Sequence, residues 1–448
     1  MRPYRKASAS PRPRFFMPTA LTLRSRHSPA IGSSRLALLA IASITAILVI
    51  FFWTLPSMER SRRLDLARRA IADHDDTGAV AILEPLILKR PSDGEAAFLL
   101  ARAARRCGDR EQATRLTALA RQGGALNELV DLEEALLRLG TAGPGAGQGF
   151  GLDADEAKAL LVAARTGHPE AAVIYEALVD LGLRSFAMER AHAFASEWIA
   201  VSPDDWLPRV RRGDIRARFS LATDARQDYE AAIALRNDAP GAHAGLGIVL
   251  VRQLGDAAAA QPHLREALRT TPEDVSCLTA FAESLVRTAH ISEAESILDR
   301  ALAIRPDDPT GLRLRGLIDL ENGRPEDALM LLERADRADP GNLETVAALS
   351  RALALAGQDE AAREASARAV TLRQEAELLD PLIKQVLHEP GDADVRFRIG
   401  RALTRMGRLR DAREWLESAL AFDPEHAEAR RALESLVKTN GPVTDGDR

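Results

Sequence analysis

Small and large apolar residues recur through the middle of the chain with a period of 34 or 35 residues. In each copy, two small positions lie seven residues apart and a larger residue stands between them. The first small position is held by Ala225, Ala260, Ala294, Ala328 and Ala362, the second by Ala232, Ala267, Ala301, Ala335 and Ala369, and the larger one by Tyr229, Leu264, Leu298 and Leu332. Because spacings of four and three residues share one helix face, the pattern predicts helical hairpins stacked in a row.

The clearest copy is ISEAESILDRALAIRP, residues 291–306. Pro306 is expected to end this helix, since proline cannot continue it. The helix before each copy carries a small residue that lets two helix axes approach closely, as at Gly213, Gly247, Gly316 and Gly400. The turn inside each hairpin often has a glycine, as at Gly323, Gly357 and Gly407, where a left-handed conformation costs least.

These residues resemble the tetratricopeptide repeat, a family of helix–turn–helix units. The small–large–small signature of the family is matched by Gly316, Ala328, Leu332, Ala335 and Pro340, and again by Gly400, Ala412, Leu416, Ala419 and Pro424. Two kinds of position depart from it: Asn237 and Gln374 replace the closing proline, and Ala282 and Ser350 replace a preferred glycine. The resemblance implies an all-α fold, an α-solenoid of helical hairpins over about three quarters of the chain.

The repeats also predict how the chain is divided. Full units are expected at 206–239, 240–274, 275–308, 309–342, 343–376 and 393–426, and weaker ones at 60–93, 94–127 and 172–205. Membrane-proximal repeats in 57–139 and a main solenoid in 153–438 would then be joined by a glycine-rich linker, 140–152. Residues 377–392 are expected to form an extra helix broken at Pro381, and 425–439 a capping helix. The two ends, 1–35 and 439–448, are expected to be disordered.

Residues 36–55, LALLAIASITAILVIFFWTL, form an uncharged stretch of 20 residues. A helix of this length, rising about 1.5 Å per residue, spans the roughly 30 Å hydrocarbon core of a bilayer. We therefore expect a single transmembrane helix over 36–56, ended by Pro56. A cleaved signal peptide is the alternative, although its apolar stretch should be only about 7–15 residues and should precede a small-residue cleavage site.

Charges on either side of this stretch predict its orientation. Residues 1–35 carry eight Lys or Arg and no Asp or Glu, which favours a cytoplasmic tail. Five arginines just beyond the stretch compete with that tendency: Arg60, Arg62, Arg63, Arg68 and Arg69. We expect the tail in the cytoplasm and the repeats on the periplasmic or extracytoplasmic side of a bacterial inner membrane.

The rest of the chain is acidic. Without the basic tail it carries 52 basic against 65 acidic residues. Because phosphate binding requires a basic face, this balance argues against nucleic acid as the main ligand.

Sequence motifs for chemistry are missing: there is no nucleophile elbow, phosphate loop, HExxH or paired-cysteine metal site. We therefore expect no enzyme activity, no cofactor and no metal. Cys107 and Cys277 are interpreted as buried apolar residues several repeats apart. The segment 73–76, Asp-His-Asp-Asp, has metal-binding atoms but falls at a predicted turn, where Asp is favoured. His192 is interpreted as a packed residue rather than a catalyst.

Arginines mark the first helices of the predicted pairs. In the family that the chain resembles, these helices line a concave surface that commonly binds extended peptides or partner helices. Forked guanidinium hydrogen bonds suit carboxylates, so we hypothesise an acidic or C-terminal carboxylate ligand. The candidate residues are Arg252, Arg287, Arg313, Arg351, Arg401 and Arg405. Pairing of these arginines with neighbouring Asp or Glu is the alternative.

The function predicted from these patterns is a membrane-anchored, non-catalytic scaffold or adaptor that binds other proteins, in cell-envelope assembly. The alternative is an accessory subunit that delivers substrate to a separate enzyme, or to secretion, cytochrome-maturation or polysaccharide-export machinery. An enzyme with repeats attached would need a non-repeating domain above about 100 residues. The longest stretch outside the predicted repeats, 128–171, is too short for one.

Overall fold

The computed structural model describes Thr45 and residues 55–139, 155–184 and 187–440. Every regular element in these ranges is an α-helix, which confirms the predicted all-α fold. The helices are α1 Leu55–Ala72, α2 Asp76–Lys89, α3 Gly94–Arg106, α4 Arg110–Gln122, α5 Asn127–Leu139, α6 Asp155–Arg165, α7 Ala171–Arg184, α8 Met188–Val201, α9 Leu207–Arg218, α10 Ala222–Leu235, α11 Ala242–Arg252, α12 Ala257–Thr270, α13 Val275–Arg287, α14 Ile291–Ile304, α15 Pro309–Glu321, α16 Pro325–Ala338, α17 Leu343–Leu355, α18 Asp359–His388, α19 Ala393–Arg405, α20 Leu409–Phe422 and α21 Ala427–Asn440.

The chain divides into two compact units, Met1–Arg69 and Ala70–Arg448. In the first, α1 is described from Leu55 and contains Pro56, whereas the residues that would form the predicted helix before it lie outside the described part of the chain.

Several predicted segments lie outside the described residues. They are the tail 1–35, the transmembrane stretch 36–55 except for Thr45 and Leu55, the linker 140–152 and the last residues, 441–448. None of the helices in the described ranges is both long and apolar enough to cross a membrane.

Helices of the second unit pack in sequential pairs, such as α15 with α16 and α19 with α20. A glycine on the first helix faces a leucine on the second: a Cβ added at Gly316 would lie 2.9 Å from Leu332 Cγ, and one at Gly400 would lie 2.8 Å from Leu416 Cγ. Both leucines are fully buried. The predicted alternation of small and large residues therefore sets how closely the two helices of a pair approach.

First helices of successive pairs also contact one another, α11 with α13, α13 with α15 and α15 with α17. Within the described ranges, successive second helices make no contact of comparable extent. A row whose first helices lie closer together than its second helices must curve towards the first helices. We call the surface formed by α11, α13, α15 and α17 the inner face.

Helix α18 differs from the prediction for the segment 377–392. It runs without a break from Asp359 to His388, 30 residues, with Pro381 inside it. Leu379, Leu382 and Val386 around this proline are buried. Their packing offsets the backbone hydrogen bond that proline removes, so the predicted break at Pro381 is wrong.

The two cysteines are free thiols in different surroundings. Cys277 is buried, as predicted, and its burial, with Asp274 nearby, raises the pKa of the thiol to about 12. Cys107 is exposed at the C-terminal end of α3, so the prediction that it is buried is wrong. Cys107 is the C-cap residue of α3, and its side chain lies at the surface where the helix ends.

The row turns back on itself, because α8 and α9 contact the last helices of the chain. Arg396 Nη2 in α19 donates to Glu189 Oε1 in α8 at 2.7 Å, and Arg396 Nη1 donates to Ser418 Oγ at 2.7 Å. The Arg396 and Glu189 side chains are only 1% and 4% exposed. Phe422 lies with its ring centre 4.3 Å from the guanidinium carbon, and Phe219, the C-cap residue of α9, belongs to the same apolar cluster as residues of α19 and α20. This closing contact joins residues 207 positions apart.

The variant Glu189→Gln tests the closing contact, since it leaves the buried guanidinium of Arg396 without its counter-charge. We expect the free energy of unfolding to fall by about 3–5 kcal/mol. Amide exchange should rise in α19–α21 as well as in α8. Urea unfolding and hydrogen-exchange mass spectrometry give the two readouts. Glu230→Gln, which removes a surface ion pair with Arg226, is the matched control and should leave both unchanged. If Glu189→Gln and Glu230→Gln changed stability and amide exchange equally, the closing contact would not stabilise the fold as described.

Two histidines join the helices of one pair. His243 Nδ1 of α11 and His263 Nδ1 of α12 are 2.9 Å apart, and the ring centres are 5.2 Å apart. His243 Nε2 lies 2.8 Å from the carbonyl oxygen of Asn237, so Nε2 carries a hydrogen and Nδ1 of the neutral ring accepts one from His263. Burial, and then the neighbouring His243, lower the pKa of His263.

A lowered histidine pKa makes stability depend on pH. The unfolded chain binds a proton at the ordinary value of 6.5, whereas the folded chain binds it only at lower pH. The stability that comes from keeping His263 neutral should therefore be fully present above pH 6.5. The free energy of unfolding should fall as the pH drops through that value towards the folded pKa of His263. His263→Gln should flatten this slope relative to the native chain, in urea titrations between about pH 8 and pH 5. His388→Gln, at an exposed position, should leave it unchanged, and an identical slope in all three proteins would disprove the link.

Candidate functional site on the inner face

The six predicted arginines come from five first helices. Arg252 lies on α11, Arg287 on α13, Arg313 on α15 and Arg351 on α17, whereas Arg401 and Arg405 lie on α19. The structure brings the first three together around one carboxylate and leaves the other three apart.

That carboxylate is Glu283 of α13, whose side chain is 5% exposed. Arg287 Nη2 donates to Glu283 Oε1 at 2.7 Å, and Arg252 Nε donates to Oε2 at 3.4 Å. Arg313 Nη2 lies 4.0 Å from Oε2, while its Nη1 pairs with Glu344 at 2.9 Å. Arg252, Arg287, Arg313 and Glu283 are called the Glu283 cluster below.

The Glu283 cluster has more positive than negative charge at its surface. Arg313 is 8% exposed and pairs mainly with Glu344, with buried Glu283 at 4.0 Å, so it stabilises the cluster rather than facing a ligand. Arg252 and Arg287 are 33% and 38% exposed. Arg252 Nη2 also donates to Thr279 Oγ1 at 3.2 Å, and Arg287 Nη1 donates to the Val251 carbonyl at 2.9 Å. These contacts fix both guanidinium groups while one edge of each stays accessible.

The remaining three arginines have different surroundings. Arg351 is exposed and makes no ion pair or hydrogen bond with any residue that the structure describes. Arg401 lies with its guanidinium carbon 5.5 Å from the centre of the Phe397 ring. Arg405 holds Glu375 with two hydrogen bonds of 2.5 Å, from Nε and Nη2. Pairing with acidic neighbours, the alternative weighed from the sequence, therefore holds for the Glu283 cluster and Arg405 but not for Arg351.

Acidic residues at the centre of these clusters are what the sequence prediction missed. One signal was available, because Glu283 stands four residues before Arg287 on the same helix. The same arrangement recurs near the start of the row, where Arg102 and Arg105 donate to Glu133 at 2.6 and 2.7 Å. Burial opposes ionisation of Glu133, but the charges of Arg105 and Arg102 keep its pKa below the usual value.

The segment 73–76 combines turn chemistry with a distant contact. Asp75 Oδ1 accepts the Gly78 N–H at 2.9 Å and caps α2, as turn chemistry predicts. His74, however, is buried against the rings of Trp198 and Trp206, and its Nε2 lies 3.1 Å from Asp205 Oδ1. Asp205 is 131 residues away, so the segment serves as an internal tether.

His74 and His192 are the two histidines whose surroundings bear on metal binding or proton transfer. No group of three or more His, Cys, Asp or Glu side chains in the described ranges is placed to hold a metal ion. His192 is half-buried, and its burial, followed by the charges of Arg216 and Arg212, lowers its pKa. A neutral, partly buried ring agrees with its interpretation as a packed residue.

The repeats of this chain are similar to those of known proteins. The sequence model of the tetratricopeptide repeat family matches residues 251–318, 319–379 and 376–436. No curated protein matches the chain.

Similar solved structures include PilW, a type IV pilus biogenesis factor, at 18% identity over 44% of this chain and 91% of PilW with a TM-score of 0.39. YrrB, a protein of this repeat family with an unusual peptide-binding site, is 21% identical over 42% of this chain and 96% of YrrB, with a TM-score of 0.36. Yeast Tom70 is 12% identical over 84% of this chain and 88% of Tom70, with a TM-score of 0.32. Residues 251–436 of this chain therefore consist of tetratricopeptide repeats.

Proposed function

We propose that this chain is a non-catalytic scaffold whose inner face binds acidic segments or C-terminal carboxylates of other proteins. One observation carries the proposal: the accessible edges of Arg252 and Arg287 lie on consecutive first helices, and Arg351, exposed and unpaired among the described residues, lies on a later one. Positive groups repeated along one face suit an extended anionic chain.

Carboxylate is the ligand that this arrangement favours. A guanidinium group presents N–H donors in a planar fork, which matches the two oxygens of a carboxylate. Glu283 already occupies such a position between Arg252 and Arg287. Because Glu283 holds both arginines in place, a ligand would meet fixed donors and would lose less side-chain entropy on binding.

Membrane attachment completes the proposal. It is supported by the apolar length of residues 36–55 and by the eight positive charges that precede them. The scaffold would then present its repeats on the extracytoplasmic side of a bacterial inner membrane and recruit proteins of the cell envelope.

The double variant Arg252→Gln/Arg351→Gln tests the inner face in the full chain, anchor included. The variant protein and the native chain are crosslinked in native membranes, and captured proteins are quantified by mass spectrometry. We expect capture of at least one partner to fall about tenfold, because two of its charge-assisted contacts are removed.

Arg373→Gln is the matched control, since Arg373 is an exposed arginine on α18 with no ion pair or hydrogen bond to any described residue. It should leave capture unchanged. Unchanged capture by the double variant would disprove recognition through the inner face. Thermal unfolding is measured for all three proteins, and capture is compared at a temperature where each is fully folded, so that any loss reports binding rather than folding.

A further inference from the structure

The regular packing of the row is interrupted at α18. The second helices α10, α12, α14 and α16 have 14 residues each, whereas α18 has 30. Around this long helix, two distant turns touch: a Cβ added at Gly341 would lie 3.1 Å from the Met406 carbonyl oxygen, and one at Gly407 would lie 3.7 Å from Pro340 Cβ. The turn after α16 and the turn after α19 are therefore in contact.

A cavity of about 590 Å³ lies beside this contact, between α16, α18 and α19. Arg337, Arg368 and Arg405 line it together with Asp336, and Leu372 is part of its apolar wall. Three guanidinium groups and one lining carboxylate make the cavity positive, in a chain whose body is acidic.

The hydrogen bonds in the cavity show which donors remain. Arg368 holds Asp336 with two hydrogen bonds of 2.7 Å and also donates to the Pro340 carbonyl. Arg405 holds Glu375 through Nε and Nη2. Nε of Arg368 and Nη1 of Arg405 therefore have no protein acceptor among the described residues. Arg337 is exposed and makes no ion pair or hydrogen bond with any of them.

We propose that this cavity binds a carboxylate of a partner segment, at a place distinct from the Glu283 cluster. Two of its three arginines already hold a carboxylate in a forked arrangement, which shows that the geometry suits this group. Arg337 supplies the charge that no residue of the described chain neutralises. The inference rests on the proposed scaffold function and assigns it a second contact point.

The probe is a fluorescein-labelled hexaglutamate peptide with an amidated C-terminus, titrated into the purified full chain at low salt. Arg337→Glu is the test variant, because Arg337 has no structural partner to lose. We expect it to weaken binding at least about tenfold. Arg373→Glu, on α18 but outside the cavity lining, is the matched control and should stay within about twofold.

A third variant, Arg351→Glu, separates this inference from the proposed function. Weaker binding with Arg351→Glu but not with Arg337→Glu would place the peptide on the inner face, keep the proposed function and overturn the second site. If Arg337→Glu and Arg373→Glu weakened binding equally, the peptide would be responding to the overall charge of the protein, and the second site would be overturned. The second site would also be overturned if the native chain did not bind hexaglutamate. Displacement of the peptide by inorganic phosphate, but not by acetate at the same ionic strength, would assign the cavity to a phosphoryl group and overturn the carboxylate.

Discussion

Contact between a glycine on one helix and a leucine on the next is the constraint on which the rest of the structure depends. At Gly316 the space that a side chain would occupy is filled by Leu332, so the two helix axes lie close together. Aromatic residues make up only 4% of the chain, and this close approach replaces the bulk that they usually supply to a core. Once each pair is fixed, its neighbours bury the remaining apolar face, and the first helices form the inner face.

A linear row of repeats holds together only through contacts between neighbours, and this protein adds a contact that is not between neighbours. The buried pair of Glu189 and Arg396 links α8 to α19, with apolar packing around it. A buried ion pair stabilises a protein no more than well-packed apolar residues of similar volume would. Removing one partner, however, leaves a buried charge unpaired and is strongly destabilising. The closing contact therefore limits how far the row can open.

Sequence reasoning predicted those features that are encoded locally. The repeated alanines and glycines predict the helix pairs, because each position acts on the helix directly opposite. Continuity of α18 through Pro381 could not be predicted, since it depends on tertiary burial of Leu379 and Leu382. The closing contact could not be predicted either, because the meeting of Glu189 and Arg396 depends on how the five helix pairs between them stack.

Part of the candidate site could be predicted from the sequence, because that part is also encoded within single helices. Its arginines were identified from the repeat, and the pair of Glu283 with Arg287 is visible as a spacing of four on one helix. Arg252 and Arg313 reach Glu283 from the two neighbouring first helices. This convergence requires the stacking distance, which no single helix encodes. Arg351 and Arg401 form no ion pair with any described residue, and Arg401 lies over the Phe397 ring, so Arg351 fits the unpaired, exposed arginine that the sequence suggested.

The most direct test of this account is a double-mutant cycle on Gly316 and Leu332, measured as the free energy of unfolding in urea. Gly316→Val alone should destabilise by about 1–3 kcal/mol through overpacking, and Leu332→Ala alone by about 2–5 kcal/mol through a cavity. Combined, they exchange the small and the large partner, so the account predicts a favourable coupling of about 1 kcal/mol or more. Gly391→Ala, where a Cβ would meet nothing within 4 Å, serves as the control and should be neutral. Strictly additive losses would show that the two residues do not set the helix spacing and would contradict the central claim.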